Sequence, residues 1–272
     1  MAILYDFHLH TSFSGDCETP MQEMVDSALS KGLKGLCITE HFDYDFPASD
    51  RCPADTFLLD FDAYLKGVEA LTLTYRDKLE IGFGVELGLQ PHLAPLHASI
   101  AGQYPFDFII GSLHTCHAKD PYYSPFYEGR SEEEAYREYF SCILENLEAY
   151  SDFDTLGHLD YTVRYGPNQD KYYTYERYQD ILDPILFKLV SMGKALECNT
   201  GAINYGLRDL NPSNAILKRY RDLGGEYITI GSDAHRPEAI AKGFDRAREI
   251  LSNCGFTYYT TFKNRKPQMH KL

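Results

Sequence analysis

The 272 residues carry 26 basic against 40 acidic side chains, a formal net charge of −14, so the surface repels a polyanion such as long nucleic acid unless bound cations or a local basic groove reverse the field. A 44% hydrophobic content suits one large α/β domain spanning 1–272, and no apolar run approaches the ~20 residues of a membrane-spanning helix. Nucleic-acid and membrane partners are thus disfavoured, and the absence of a basic leader or cleavage site after Met1 points to the cytoplasm.

Strand-length apolar runs alternate with segments of helical period. In chain order the pattern predicts a strand at 3–7, a helix at 20–31, a strand at 35–39, a helix at 60–75, a strand at 81–85 and a helix at 93–103. There follow a strand at 106–110, a helix at 132–150, a strand around 155–156, a helix at 175–192, a strand at 195–198, a helix at 211–223, a strand at 227–230 and a helix at 237–253. Gly32, Gly193, Gly224 and Gly255 stop four of the helices, and a last run at 258–262 either completes a sheet or caps it. Glu132, Glu133 and Glu134 open the fourth helix, where their charge complements the N-terminal dipole. His92 and His97 read as positions on or before a surface helix, and His270 as tail. The seven cysteines are scattered and never form a CxxC pair, which suits reduced thiols, with Cys37 and Cys198 simply packing.

A repeated β-then-α order implies a parallel sheet with right-handed crossovers, and seven such units tend to close into a barrel; a doubly wound open sheet is the other fold the order allows. On that map the metal-capable residues fall at strand C-terminal ends: His8 and His10 after the first, Glu40 and His41 after the second, Glu86 after the third. His114 and His158 follow the fourth and fifth, and Asp233 with His235 the seventh. In a parallel barrel those ends converge on one face, so dispersed residues gather at one cleft. Imidazoles with carboxylates suit zinc, manganese or iron, Glu86 can bridge two cations, and Asp16 in the loop 12–16 is a further ligand candidate. Taken singly, His114 or His158 also reads as an ordinary core or rim histidine, and Asp16 as a turn residue.

The strings His8-Leu9-His10, Thr39-Glu40-His41, Gly84-Val85-Glu86, Gly111-Ser112-Leu113-His114, Gly157-His158 and Gly231-Ser232-Asp233-Ala234-His235 resemble the successive motifs of the polymerase and histidinol phosphatase (PHP) superfamily. The resemblance spans nearly the whole chain. Asn199-Thr200-Gly201 with Arg208, Pro105-Phe106-Asp107, and the ending from Gly255-Phe256 to Lys266 also resemble its histidinol-phosphate phosphatase branch. The resemblance implies a distorted (β/α)7 barrel holding three divalent cations. By motif, His8, His10, Glu86 and Asp233 would hold the first, and Glu86, His114 and His158 the second. Asp16, His41 and His235 would hold the third, the Asp16 position varying between histidine and carboxylate across the superfamily.

The implied activity is phosphomonoester hydrolysis on a small molecule, histidinol phosphate. A hydroxide shared by two cations is a strong nucleophile, because coordination lowers the pKa of water from about 16 toward ~7, and it would attack phosphorus in line. The expected catalytic residues are Glu86, Asp233, His235 and Asp160, with Asp160, His117 or a coordinated water protonating the leaving alkoxide. Arg164 and Arg208 are candidates to bind phosphate oxygens, each with a surface salt bridge as the plainer reading. Glu128, Tyr122, Tyr123 and Tyr161 are candidates to meet a cationic amine or imidazole. The competing functions are hydrolysis of another small ester, a nucleotide or a nucleic-acid 3′ end, and a metal-binding barrel without activity.

Overall fold

The computed structural model describes residues 2–49 and 52–272. Seven strands, β1 (Tyr5–Asp6), β2 (Gly35–Phe42), β3 (Glu80–Gly88), β4 (Phe108–Ser112), β5 (Thr155–Leu156), β6 (Ala195–Asn199) and β7 (Ile228–Gly231), pair in sequence order, all parallel. The ends of the sheet meet. Phe7 donates its amide to Ile230 O at 3.0 Å, Asp233 N to His8 O at 2.7 Å and His10 N to Ala234 O at 2.9 Å, so β1 and its extension lie along β7. That approach needs Gly231, where a Cβ would stand 2.2 Å from the Cβ of His8. The result is a (β/α)7 barrel rather than an open sheet.

Helices α1 (Met21–Ser30), α2 (Phe61–Tyr75), α3 (Ala94–Gln103), α4 (Glu132–Ala149), α5 (Tyr175–Ser191), α6 (Asn214–Asp222) and α7 (Phe244–Asn253) follow the seven strands in turn. Their apolar stripes face the sheet: α1 buries Met21, Met24, Val25 and Ala28, the i, i+3, i+4, i+7 spacing of one helical face. At the start of α4 the Ser131 side chain accepts from the Glu134 amide and Glu134 returns the bond to the Ser131 amide, a capping box, with Glu132 and Glu133 in the same acidic turn. No helix among the described residues is long and apolar enough to cross a membrane.

Several expectations need correction. The first strand pairs only over Tyr5–Asp6, whereas the second runs on to Phe42, so Glu40 and His41 lie within it. The helix expected at 237–253 begins at Phe244, because Ala241 (φ 55°) and Gly243 (φ 82°) take left-handed backbone that no α-helix continues. The helix expected at 211–223 begins at Asn214, since Asn211 is paired with the backbone of Asn199 and precedes a proline, which disfavours helical geometry.

The run at 258–262 does not join the barrel. Strand β8 (Tyr258–Lys263) forms an antiparallel hairpin with β9 (Lys266–Lys271), turning on Asn264 and Arg265 at φ 48° and 62°. The hairpin closes the end opposite the ligands: Phe262 stacks on Phe108, Asp107 accepts from Lys263 Nζ and the Asn264 amide, and Arg265 pairs with Asp154. His270 is therefore not tail; its ring lies against Tyr5 and Tyr259. His97 is not on the surface but fully buried on the inner side of α3, against Tyr150.

The reading of all cysteines as reduced is also overturned, because Cys116, after β4, and Cys142, in α4, form a disulfide across 26 residues of sequence. Such a pairing leaves no spacing signal. Cys37 and Cys198 are free and buried, as packing residues should be.

Candidate metal centre

The centre is built around Glu86, fully buried on β3 and in register with His41 on β2. Its Oε1 accepts from Ser112 Oγ at 2.6 Å and lies 2.9 Å from His158 Nε2 and 3.2 Å from His114 Nε2. Its Oε2 lies 3.0 Å from His41 Nδ1, 3.2 Å from His8 Nε2 and 3.5 Å from His10 Nε2. His8 and His10, two residues apart on an extended segment, present their rings to the same side. Asp233 Oδ1 closes that side at 3.8 and 3.5 Å from their Nε2 atoms. At the rim, Asp16 Oδ2 faces His235 Nε2 at 3.1 Å and His41 Nε2 at 3.6 Å. All nine expected ligands are thus brought together.

Single donor atoms from four triplets converge within 4.8 Å: His8, His10 and Asp233; His8, Glu86 and His158; His41, Glu86 and His114; and His10, His41 and His235. Four of the atoms turned inward lack hydrogen-bond partners. His8 Nε2, His10 Nε2, His41 Nδ1 and Glu86 Oε2 are buried and unsatisfied, an arrangement that costs free energy unless cations fill it. The nitrogen-and-oxygen donor set, without thiolate, fits borderline divalent metals.

The electrostatics agree. Burial works against protonated His8, yet Glu197, Glu86 and Asp233 outweigh it and hold the imidazole well above its ordinary pKa. His114 is treated alike, raised to about 10 by Asp43 and Glu86 against burial, and His41 is carried well up by Asp16 and Glu86. His10 goes the other way, to about 3, through burial and the neighbouring His41 and His235. Burial opposes ionised Glu86 and Asp233, but the surrounding histidines, His8 foremost, hold both carboxylates well below their usual range.

Sequence reasoning missed the residues behind these ligands. Glu197, in β6, accepts from His8 Nδ1 at 2.6 Å and from the His158 amide at 2.7 Å; Asp43 accepts from His114 Nδ1 at 2.8 Å. The two bonds to ring Nδ1 atoms orient His8 and His114 so that their Nε2 atoms point inward to Glu86, whereas the bond from the His158 amide holds that residue's backbone. The available signal was a carboxylate in the middle of an apolar strand, Leu196-Glu197-Cys198, a costly placement unless it is used.

A cleft of about 950 Å³ opens above the centre, and Asp16, His41, His114, His158, Asp233 and His235 lie in its floor. Of the expected substrate-binding residues, Arg164 lines it: the buried guanidinium donates to Asn211 Oδ1 at 2.7 Å, Asp233 Oδ2 at 2.9 Å and Asn199 Oδ1 at 2.8 Å. Tyr122, Tyr123 and Tyr161 line it too. The structure does not bring the other three, Arg208, His117 and Glu128, or the expected proton donor Asp160, into the cleft wall. Arg208 points away into a smaller cavity and pairs with Asp170. Asp160 faces that same cavity, its carboxylate held by Asn211 Nδ2 and the Ser213 amide, so it braces a loop rather than meeting substrate. His117 turns outward on left-handed backbone (φ 46°) to Glu138 and Glu145 of α4, and exposed Glu128 is not in the cleft wall. In their place the wall offers Asp120, Arg236 and Lys242, loop residues that no periodicity marks.

Comparison with known proteins agrees with this geometry. The PHP domain family matches residues 6–201. The histidinol-phosphatase of Lactococcus lactis subsp. lactis (strain IL1403) is 32% identical over 267 residues, covering 98% of this chain and 97% of that protein. A relative from Clostridium acetobutylicum is 33% identical over 254 residues, covering 93% and 94%. The crystal structure of the Lactococcus histidinol phosphate phosphatase, complexed with zinc, L-histidinol and phosphate, superposes with a TM-score of 0.88 over 97% of this chain and 98% of that one. With a family match over most of its length and a site built on that family's motifs, the chain belongs to the PHP domain family.

Proposed function

We propose that this protein is a metal-dependent phosphomonoesterase that hydrolyses L-histidinol phosphate to L-histidinol and phosphate. The observation that carries the reading is the set of buried, unpartnered histidine and carboxylate atoms of His8, His10, His41 and Glu86 next to a cleft lined by His41, His114, His158, Asp233 and His235, in a chain 32% identical to a histidinol-phosphatase over nearly its full length. Three cations fit the donor set. His8, His10, Glu86 and Asp233 would hold one; Glu86, His114 and His158 a second; Asp16, His41 and His235 a third, with zinc, manganese or iron all compatible with the ligands. Bound there, the cations supply an activated water and Lewis-acid stabilisation of the phosphoryl oxygens.

The chain's own residues supply the rest. Glu86 sends one oxygen toward His8 and the other toward His158, so it would serve both cation positions. Glu197 and Asp43 keep His8 and His114 in the ligating tautomer. Arg164 spends three of its five N–H donors on Asn211, Asp233 and Asn199, which fixes Asp233 and leaves two for a phosphate oxygen. Arg236 and Lys242 add positive charge in the cleft wall. Asp120, with Tyr122 and Tyr161 beside it in the wall, offers a carboxylate and aromatic faces to the cationic leaving group, the part first assigned to Glu128. Neither Asp160 nor His117 reaches the cleft, so the leaving alkoxide takes its proton from water.

The partner is thus a small phosphate ester, and the net charge of −14 disfavours a nucleic-acid 3′ end. Phosphate release from histidinol phosphate, nucleoside monophosphates, sugar phosphates and a short oligonucleotide, with added zinc or manganese and with chelator, tests the reading. Histidinol phosphate should dominate the panel and chelator should abolish turnover; comparable rates across the panel would overturn the assignment.

A further inference from the structure

The segment after the last ligand, His235, forms one wall of the cleft: Arg236, Glu238, Ala239 and Lys242 all border it. It contains a single 3-10 turn, Pro237–Ala239, and its left-handed residue at Ala241 prevents it from joining α7. The Pro237 carbonyl accepts the Ile240 amide within the turn at a long 3.4 Å, and it and the carbonyls of Glu238 and Ile240 accept a donor from outside the turn. One side chain takes all three. Lys31, the residue closing α1, places Nζ 2.9 Å from Pro237 O, 2.9 Å from Glu238 O and 2.8 Å from Ile240 O. An ammonium has three N–H donors, and here each has a carbonyl. Ser27, one turn earlier on α1, adds a bond from Oγ to Pro237 O at 2.7 Å.

The same segment is gripped on its other side. Asp6 of β1 accepts the Ala241 amide at 2.9 Å as well as the amide and hydroxyl of Ser232, while Cys17 Sγ and Thr19 Oγ1 both reach His235 O. The backbone from His235 to Ala241 therefore takes its position from the first 31 residues of the chain. Among these holds, the Asp6, Cys17 and Thr19 contacts bear on the ends of the segment, and Lys31 with Ser27 bears on its middle. Arg236 and Lys242 flank that middle turn, so its shape sets the span between them, while the Lys242 ammonium is also tied to Asn204 Oδ1 at 2.6 Å.

We propose that Lys31 is a positioning residue for the reaction: its ammonium, seated in a three-carbonyl cradle, holds the 236–242 wall so that Arg236 and Lys242 face the phosphate of the substrate. This rests on the phosphatase reading for the identity of the bound anion. The cradle itself is a site for a monovalent cation carrying N–H donors, occupied in the native protein by the chain's own lysine. Removing the lysine leaves three carbonyls that a free alkylammonium ion can reoccupy.

The test uses the metal-loaded full chain, wild type and Lys31→Ala, with Lys31→Met as a second variant that keeps the apolar stem. Two quantities are read with and without ethylammonium chloride: hydrogen exchange of the amides from 236 to 243, and the kinetics with histidinol phosphate. Loss of three charge-assisted bonds should speed exchange in that segment alone and raise KM about fivefold. The effect on kcat should stay within about twofold, because the metal ligands are untouched. Ethylammonium should restore both quantities, and tetramethylammonium, which has no N–H, should restore neither. Unchanged exchange, unchanged KM in a loosened segment, or failure of ethylammonium to restore them would each overturn the proposal. If the wild type does not hydrolyse histidinol phosphate, the proposed function falls, and the exchange measurement still decides whether Lys31 holds the wall.

Discussion

Glu86 and Glu197 are both buried carboxylates that touch His8, and their substitution separates holding a cation from orienting its ligand. Glu86→Ala removes an atom facing each half of the centre, so it should empty two cation positions and lower turnover roughly a thousandfold or more. Metal content by elemental analysis alongside kcat checks this, and a near-normal enzyme would rule out the bridging role. Glu197→Gln keeps shape and hydrogen bonding but loses the charge that holds the His8 tautomer. It should weaken metal binding by about 10- to 100-fold, read by competition with a chelating dye, and excess metal should recover most of the activity.

At the same scale, burial pushes the Asp120 carboxyl up to about 6, against the pull of the Tyr122 amide. The group is therefore charged above that pH and neutral below it, and its attraction for a cationic leaving group disappears as pH falls through about 6. KM for histidinol phosphate should rise across that window in the wild type. In Asp120→Asn it should be about tenfold higher and flat there, while KM for p-nitrophenyl phosphate, which has no cation, should barely move. A parallel change for both esters would remove Asp120 from substrate selection.

Among the elements, α3 carries the least expected group. His97 is fully buried with neither ring nitrogen bonded, and burial lowers its pKa to about 4. The unfolded chain then binds a proton that the fold refuses between pH 6.5 and about 4, so stability is lost as pH falls through that interval. The loss is about 3 kcal/mol at its fullest. His97→Phe, which fills the space without titrating, should flatten this part of the urea midpoint against pH; a wild type and variant with parallel profiles would sink the assignment. Periodicity could not reveal this burial, because α3 is short and rich in small apolar residues on every side, so the sequence 94–103 marks no inner face.

The other misreadings at this scale share a physical origin. The hairpin of β8 and β9 turns on Asn264-Arg265, which lacks the glycine that usually announces two left-handed residues, and β9 is polar and largely exposed. Helix α7 begins seven residues later than the sequence pattern predicts because Pro237 resembles a helix start and nothing in Ala241 signals positive φ. By contrast, β2, β3, β4, β6 and β7 are covered on both faces, and such strands show as mostly apolar runs, interrupted here chiefly by site carboxylates such as Glu86 and Glu197.

For the molecule as a whole, the barrel's closure explains why the convergence of nine candidate ligands is legible in the sequence and the lining of the cleft wall is not. A ligand at a strand end inherits its position from the sheet, so a regular β-then-α pattern is enough to gather His8, Glu86 and Asp233. Arg208 and Arg236 both follow strands, and only the path of each loop decides that Arg236 enters the cleft while Arg208 turns to Asp170. The closed barrel also links metal, protons and stability. In the metal-free chain His8, His41 and His114 have raised pKa values, so the protons on them stabilise the carboxylate-rich centre fully below pH 6.5, and this stabilisation is lost as pH rises toward about 10, the value for His114. Cations replace those protons and are not lost on the alkaline side. The gap in melting temperature between metal-loaded and chelated protein should therefore widen steadily from pH 7 to pH 9 by scanning calorimetry, and zinc addition near pH 7 should release protons into a weakly buffered solution. A gap that narrows with rising pH would mean that the histidines enter the fold already neutral, and that Glu86 and Asp233 are held by something other than the charge around them.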